Sequence, residues 1–136
     1  MKFIPVKFPF LPGRARDKGQ FFEVRARDFL YRQGLRDFQL NFRSRYGEID
    51  LIARDKETLV FVEVRYRQDA SFGSPVATVT HGKQQKIIRT ARYFLQKNGL
   101  TNRMPCRFDV VGITGEPGQL EYQWIKNAFS LAVDYN

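Results

Sequence analysis

The sequence predicts an α/β protein with a mixed central sheet flanked by helices, and three observations carry that expectation. Two stretches repeat apolar residues at helical spacing, one near the start of the chain and one past its middle. Five shorter stretches either alternate apolar and polar residues or run almost wholly apolar, as strands do. Along the chain these segments fall in the order α-β-β-β-α-β-β.

From about Arg16 to Gln33, Phe22, Ala26, Phe29 and Leu30 recur with a helical period, and Gly34 closes the segment. Phe38, Leu40 and Phe42 then alternate with Gln39, Asn41 and Arg43, the period of a half-buried strand. Glu48 to Arg54 makes a second strand, expected to carry Ile49, Leu51 and Ala53 on one face and Asp50 on the other. Asp55-Lys56-Glu57 is polar turn material. Thr58 to Tyr66 is nearly all β-branched or apolar, the pattern of a central strand covered on both faces.

Residues 67–80, with Gly73, Ser74 and Pro75, form a loop that returns over the sheet. A second helix from about Lys83 to Asn98 turns Ile87, Ile88, Ala91, Phe94 and Leu95 inward and stops at Gly99. Arg107 to Ile113 is a further buried strand. Gly115, Pro117 and Gly118 make a turn, and Leu120, Tyr122 and Trp124 alternate in a last strand.

A chain of 136 residues suits one domain, with residues 1–15 as an extended arm interrupted by Pro5, Pro9 and Pro12. The 43% of hydrophobic residues can fill a core, which argues against the disordered class. Twenty-three Lys+Arg against 14 Asp+Glu leave a formal charge of +9, which makes a polyanion the first partner to consider. A merely basic protein, or one that docks on anionic lipid, would carry the same excess. Cys106 is the only cysteine, so the chain has no internal disulfide and no cysteine-based zinc cluster. No apolar run approaches the roughly 20 residues of a membrane span. The expected setting is the cytoplasm, with no organic cofactor.

Asp50 and Glu63 are the acids that stand out. Two antiparallel strands joined by a short turn can bring them within reach of one metal ion, and a buried carboxylate is costly unless paired or bound to a cation. Glu63 and Arg65 share a face, being two residues apart. Phosphodiester cleavage uses such a set: oxygen ligands for Mg²⁺ or Mn²⁺ and a cation for the scissile phosphate. The same residues would equally serve as an internal ion pair that fixes strand register. Spacing leaves both readings open.

Gly47-Glu48-Ile49-Asp50-Leu51-Ile52, then Val60-Phe61-Val62-Glu63-Val64-Arg65 and Phe72-Gly73-Ser74-Pro75, form an ordered set of motifs. Gly19-x-x-x-Glu23 precedes them; Lys83 and Arg107-Phe108-Asp109-Val110-Val111 follow. Together they resemble the UPF0102, or YraN-like, family from about Gly19 to Ile113. That family is similar to archaeal Holliday-junction resolvases and shares the PD-(D/E)xK nuclease pattern, so the resemblance implies a restriction-endonuclease-like fold. It further implies metal binding by Asp50, Glu63 and the main-chain carbonyl of Val64, with Glu23 reaching the metal directly or through water. Arg65 stands where the nuclease pattern has Lys. Arginine remains protonated and cannot act as a base, so it is expected on the phosphate, with Lys83 as a substitute for the missing lysine.

Glu23 borders the buried face of its helix; an exposed pair with Arg27 is the other reading. Lys83 and Gln84 continue the core-facing stripe at the start of the second helix and are candidates for substrate contact. Arg43, Arg45 and Arg67 flank the acids, where they would draw in a phosphate backbone. His81 reads as a surface or capping residue, and Asp109 as the partner of a nearby arginine. Phe21, Tyr46, Tyr66 and Phe72 could stack on bases or serve the core. The expected activity is metal-dependent cleavage of nucleic acid, DNA ahead of RNA, and of branched or structured DNA in particular. The alternatives are an inactive binding protein of the same fold and a protein-interaction domain. A homodimer would suit a junction with two equivalent cut sites.

Overall fold

The computed structural model describes residues 18–69, 71 and 73–130, with backbone alone at 18 and 19. The expected N-terminal arm, residues 1–15, the expected helix start at Arg16 and the candidate stacking residue Phe72 lie outside the described residues.

Helix α1 (Lys18–Arg32) and helix α2 (His81–Lys97) end in the same way. Gly34 and Gly99 adopt positive φ, 108° and 68°, where a side chain would be strained. After α1, Gly34 N donates to Tyr31 O and Leu35 N to Leu30 O, each at 3.0 Å. After α2, Gly99 N donates to Gln96 O at 3.2 Å and Leu100 N to Leu95 O at 2.8 Å. Each helix therefore closes in a Schellman turn, and each turn brings a leucine pair into a core. At the other end of α2, the Thr80 hydroxyl accepts from Lys83 N at 3.1 Å, so the helix opens two residues before the expected Lys83.

The five strands are β1 (Arg36–Ser44), β2 (Gly47–Asp55), β3 (Thr58–Arg67), β4 (Cys106–Glu116) and β5 (Gln119–Phe129). They lie side by side in chain order. All neighbours are antiparallel except β3 and β4, whose parallel pairing is made feasible by the α2 crossover between them. The α/β class, the mixed sheet and the α-β-β-β-α-β-β order stand as expected. No helix among the described residues is long and apolar enough to cross a membrane.

One hydrophobic core lies on each side of the sheet. Ile87, Ile88, Ala91, Phe94 and Leu95 of α2 pack with Phe61 and Phe108; Phe22, Ala26 and Leu30 of α1 pack with Val60, Val62 and Val111. The strands β3 and β4 alternate strictly between the two. Strands β1 and β2 do not, and here the expectation needs correction. Ile49 belongs to the α2 core, whereas Leu51 and Ala53 belong to the α1 core, so these three do not share one face. Beside them in β1, Leu40 packs toward α1 and Phe42 toward α2. Asn41 between them has φ 55°, a left-handed residue that turns the strand over. Leu40 pairs with Leu51 and Phe42 with Ile49, so both strands change sides together, at Asn41 and Asp50.

Between β3 and α2 the chain crosses the sheet as a short 3-10 turn, Pro75–Thr78, capped by Ser74. Pro75 lies directly on Gly112 of β4: a Cβ built there would stand 2.2 Å from Pro75 Cγ. The absent side chain is what lets the turn approach.

Candidate metal centre

The β2–β3 ladder runs from Asp55↔Thr58 to Leu51↔Val62 and stops. One residue further, Asp50 fills the gap with its side chain: its Oδ2 accepts from Val64 N at 2.8 Å. A carboxylate replaces a backbone carbonyl in the ladder. Because an extended residue presents its N–H and C=O to the same side, the Val64 carbonyl also faces the gap.

Three further acids meet Asp50 there. Glu23 comes from α1, and Glu48 from the start of β2. Glu23, Glu48 and Asp50 each offer a carboxylate oxygen, and these all lie within 4.8 Å of one another. Glu63 lies in β3; Asp50 is in hydrogen-bonding contact with both Glu23 and Glu63. Glu23, Asp50 and Glu63 are buried at 8%, 9% and 5% relative exposure. Two cations stand behind Glu63: Arg65 Nη2 is 3.1 Å and Lys83 Nζ 3.9 Å from the same Oε2.

This packing of acids raises their pKa values. Burial, then the negative charge of Asp50, pushes Glu23 up to about 8; the amide of Asn41 opposes the shift. Glu63 is also pushed up to about 8, by burial and again by Asp50, with Lys83 and Arg65 pulling the other way. Burial raises Asp50 as well, against the Val64 N–H, which favours the charged form. Glu23 Oε1 is buried with no hydrogen-bond partner, and the donors are all hard oxygens. That set fits Mg²⁺ or Mn²⁺.

The structure brings Glu23, Asp50, Glu63, Arg65 and Lys83 together, and it adds Glu48 and Asn41, which the sequence reading did not single out. The available signal for Glu48 was its place two residues before Asp50; for Asn41, the tolerance of asparagine for a left-handed backbone. Arg43 pairs with Glu48 at 3.2 Å and is exposed. Arg45 donates to the Tyr46 hydroxyl at 2.9 Å in the turn that joins β1 to β2. Arg67 donates to Tyr66 O at 2.9 Å, further along the face that carries Glu63 and Arg65. Gln84 is turned back on its own helix start, donating to Val79 O at 3.1 Å. His81 is exposed at the first position of α2.

Other residues have structural roles. Arg27 pairs with the adjacent Asp28 at 2.7 Å. Fully buried Asp109 is held by Arg107, Trp124 Nε1 and Asn127 N, away from the acid cluster. Tyr66 stacks on Phe22 at 3.9 Å and donates its hydroxyl to Gly115 O, and Phe21 packs edge-on against Phe22.

Residues 22–113 match the model of the uncharacterised protein family UPF0102. The chain belongs to this family. The UPF0102 protein of Chromohalobacter salexigens is 51% identical to it over 115 residues, which is 85% of this chain and 92% of that one. The UPF0102 protein of Nitrosococcus oceani is 47% identical over 118 residues, 87% and 95% of the two chains. The UPF0102 protein YraN of Escherichia fergusonii is 47% identical over 116 residues, 85% and 86% of the two. The UPF0102 match runs from α1 into β4 and spans Glu23, Glu48, Asp50, Glu63, Arg65 and Lys83; β5 lies outside it.

Proposed function

We propose that this UPF0102 protein is a metal-dependent nuclease acting on DNA, branched or otherwise structured DNA in particular, on the restriction-endonuclease-like plan of the PD-(D/E)xK enzymes. The observation that carries the reading is the convergence of buried carboxylates on the break between β2 and β3, with Arg65 and Lys83 directly behind it. Glu23, Asp50 and Glu63 would hold Mg²⁺ or Mn²⁺, with Glu48 and the Val64 carbonyl as further oxygen donors. Such an ion, when bound, draws charge from phosphate oxygens, lowers the pKa of water and steadies the leaving oxygen.

The protein's own groups divide the remaining work. The planar fork of a guanidinium matches phosphate oxygens, so the part of Arg65 is to hold the phosphate. Lys83 stands 3.9 Å from Glu63, a place that suits it to orient the attacking water. Arg43, Arg45 and Arg67 would guide the backbone across the acids, and the excess of basic residues would draw DNA in from solution. A symmetric dimer would match the two equivalent cut sites of a junction.

A second reading is a protein that binds DNA without cutting it. The ion pair between Arg65 and Glu63 favours it, since the guanidinium neutralises one of the acids a metal would need. Cleavage of labelled duplex, single strand, flap and four-way junction with Mg²⁺ or Mn²⁺ separates the two. Cutting that needs metal and disappears in both Asp50→Ala and Glu63→Ala supports the nuclease. Tight, salt-sensitive binding with no cutting of any substrate supports the binding protein.

A further inference from the structure

The far end of the α2 face is not covered by α2. There the 3-10 turn forms a roof over β3, β4 and β5, and beneath it lies a pocket of about 200 Å³. Gly112 and Pro75 set its depth through their close approach. Arg65 and Arg67 of β3 form one wall, Thr114 of β4 the floor, and Glu121 and Gln123 of β5 the other wall. Arg65 is common to the pocket and the carboxylate cluster: its Nη2 lies on Glu63, while its Nε is buried with no hydrogen-bond partner.

The geometry points to this pocket as the seat of one unpaired nucleobase of the nucleic acid engaged at the carboxylates. Size comes first. Pockets for drug-sized ligands measure roughly 300–1,000 Å³; this one matches a single planar ring system. Charge comes second. The two arginines are balanced by Asp69 and Glu121, so the pocket offers no net positive charge to favour a phosphate. A base edge needs both donors and acceptors, which Arg65, Glu121, Gln123 and Thr114 provide. Position comes third. Arg65 touches both sites, so a phosphate at the acids and a base in the pocket would belong to one strand, and a fully paired duplex could not fill both. The inference rests on the nuclease reading only in taking a polynucleotide as the ligand.

The test is binding without turnover, measured by anisotropy in the presence of EDTA. Three labelled duplexes are compared: fully paired, with one unpaired nucleotide, and with an abasic residue in place of that nucleotide. Wild type is expected to bind the unpaired base about tenfold more tightly than the abasic duplex, the scale of one base–protein stacking contact. Gln123→Trp, which fills the pocket from an exposed strand position, should abolish that preference. Thr114→Leu, a smaller filling, guards against misfolding of the first variant, and thermal unfolding checks both. Equal binding of base and abasic duplex, or a preference that survives both fillings, overturns the proposal. A base preference in a protein that cuts nothing upholds the pocket and defeats the nuclease. Metal-dependent cutting with no base preference does the reverse.

Discussion

Asp50 Oδ2 lies 2.8 Å from Val64 N, accepting its hydrogen bond at the point where β2 and β3 cease to pair. One side chain thus closes the sheet and gathers the acids, and these two duties can be separated by substitution.

Asp50→Asn keeps an oxygen for Val64 N and removes a buried charge. Asp50→Ala leaves that N–H without a partner, at a cost of roughly 1–3 kcal/mol. Urea unfolding at alkaline pH should place the Asn variant at or above wild type in stability and the Ala variant below the Asn variant. Metal binding should be lost in both. An Ala variant more stable than the Asn variant would show that relief of charge, and not the hydrogen bond, governs the site.

The raised acids give a definite pH dependence. Glu23 and Glu63 ionise near 4.5 when unfolded and near 8 when folded, so over that range the folded state binds more protons. Stability of the metal-free protein should therefore fall as pH rises from about 4.5 to about 8, and change little from these groups beyond it. A divalent ion replaces the protons, so Mn²⁺ should raise the melting temperature more at pH near 8 than near 6. Calorimetry with and without the metal reads both effects.

Gly112→Ala puts a methyl group into Pro75 and should cost about 1–3 kcal/mol. Pro75→Ala should recover much of that loss when combined with it, giving a coupling that a double-mutant cycle in urea would measure. Additive losses would mean that the turn moves aside freely.

Asn41→Gly preserves the left-handed turn and Asn41→Ala strains it, a difference of about 1 kcal/mol in unfolding free energy. Both remove the amide that favours the Glu23 carboxylate, so both should raise the Glu23 pKa further. Carbon-13 NMR of the glutamate carboxyls follows that titration.

The two helices and the strand order were legible because each helix carries a regular apolar stripe and ends at a glycine, and because Thr58–Arg67 is apolar on both faces. Asp50, Glu63 and Arg65 were legible as polar residues in strands that otherwise bury their side chains. The change of face at Asn41 and Asp50 was not, since a strand that turns over midway keeps an unbroken alternation in sequence. Glu48 was missed for a related reason: its approach to Glu23 depends on that turn and on a helix more than twenty residues earlier in the chain. An arginine partner for Asp109 was anticipated and is Arg107, while its contacts with Trp124 and Asn127 needed the antiparallel return of β5.

Because β1 and β2 change sides midway, each is anchored in both cores. Phe38 and Leu40 hold to one layer and Phe42 to the other; Leu51 and Ala53 to one, Ile49 to the other. The two strands act as stitches through the sheet, and neither helix can peel away without slackening a thread that secures its counterpart. Such a molecule should melt in a single cooperative step. The acids sit on the stitch itself, so a loosening of either layer is transmitted directly to the place where they meet.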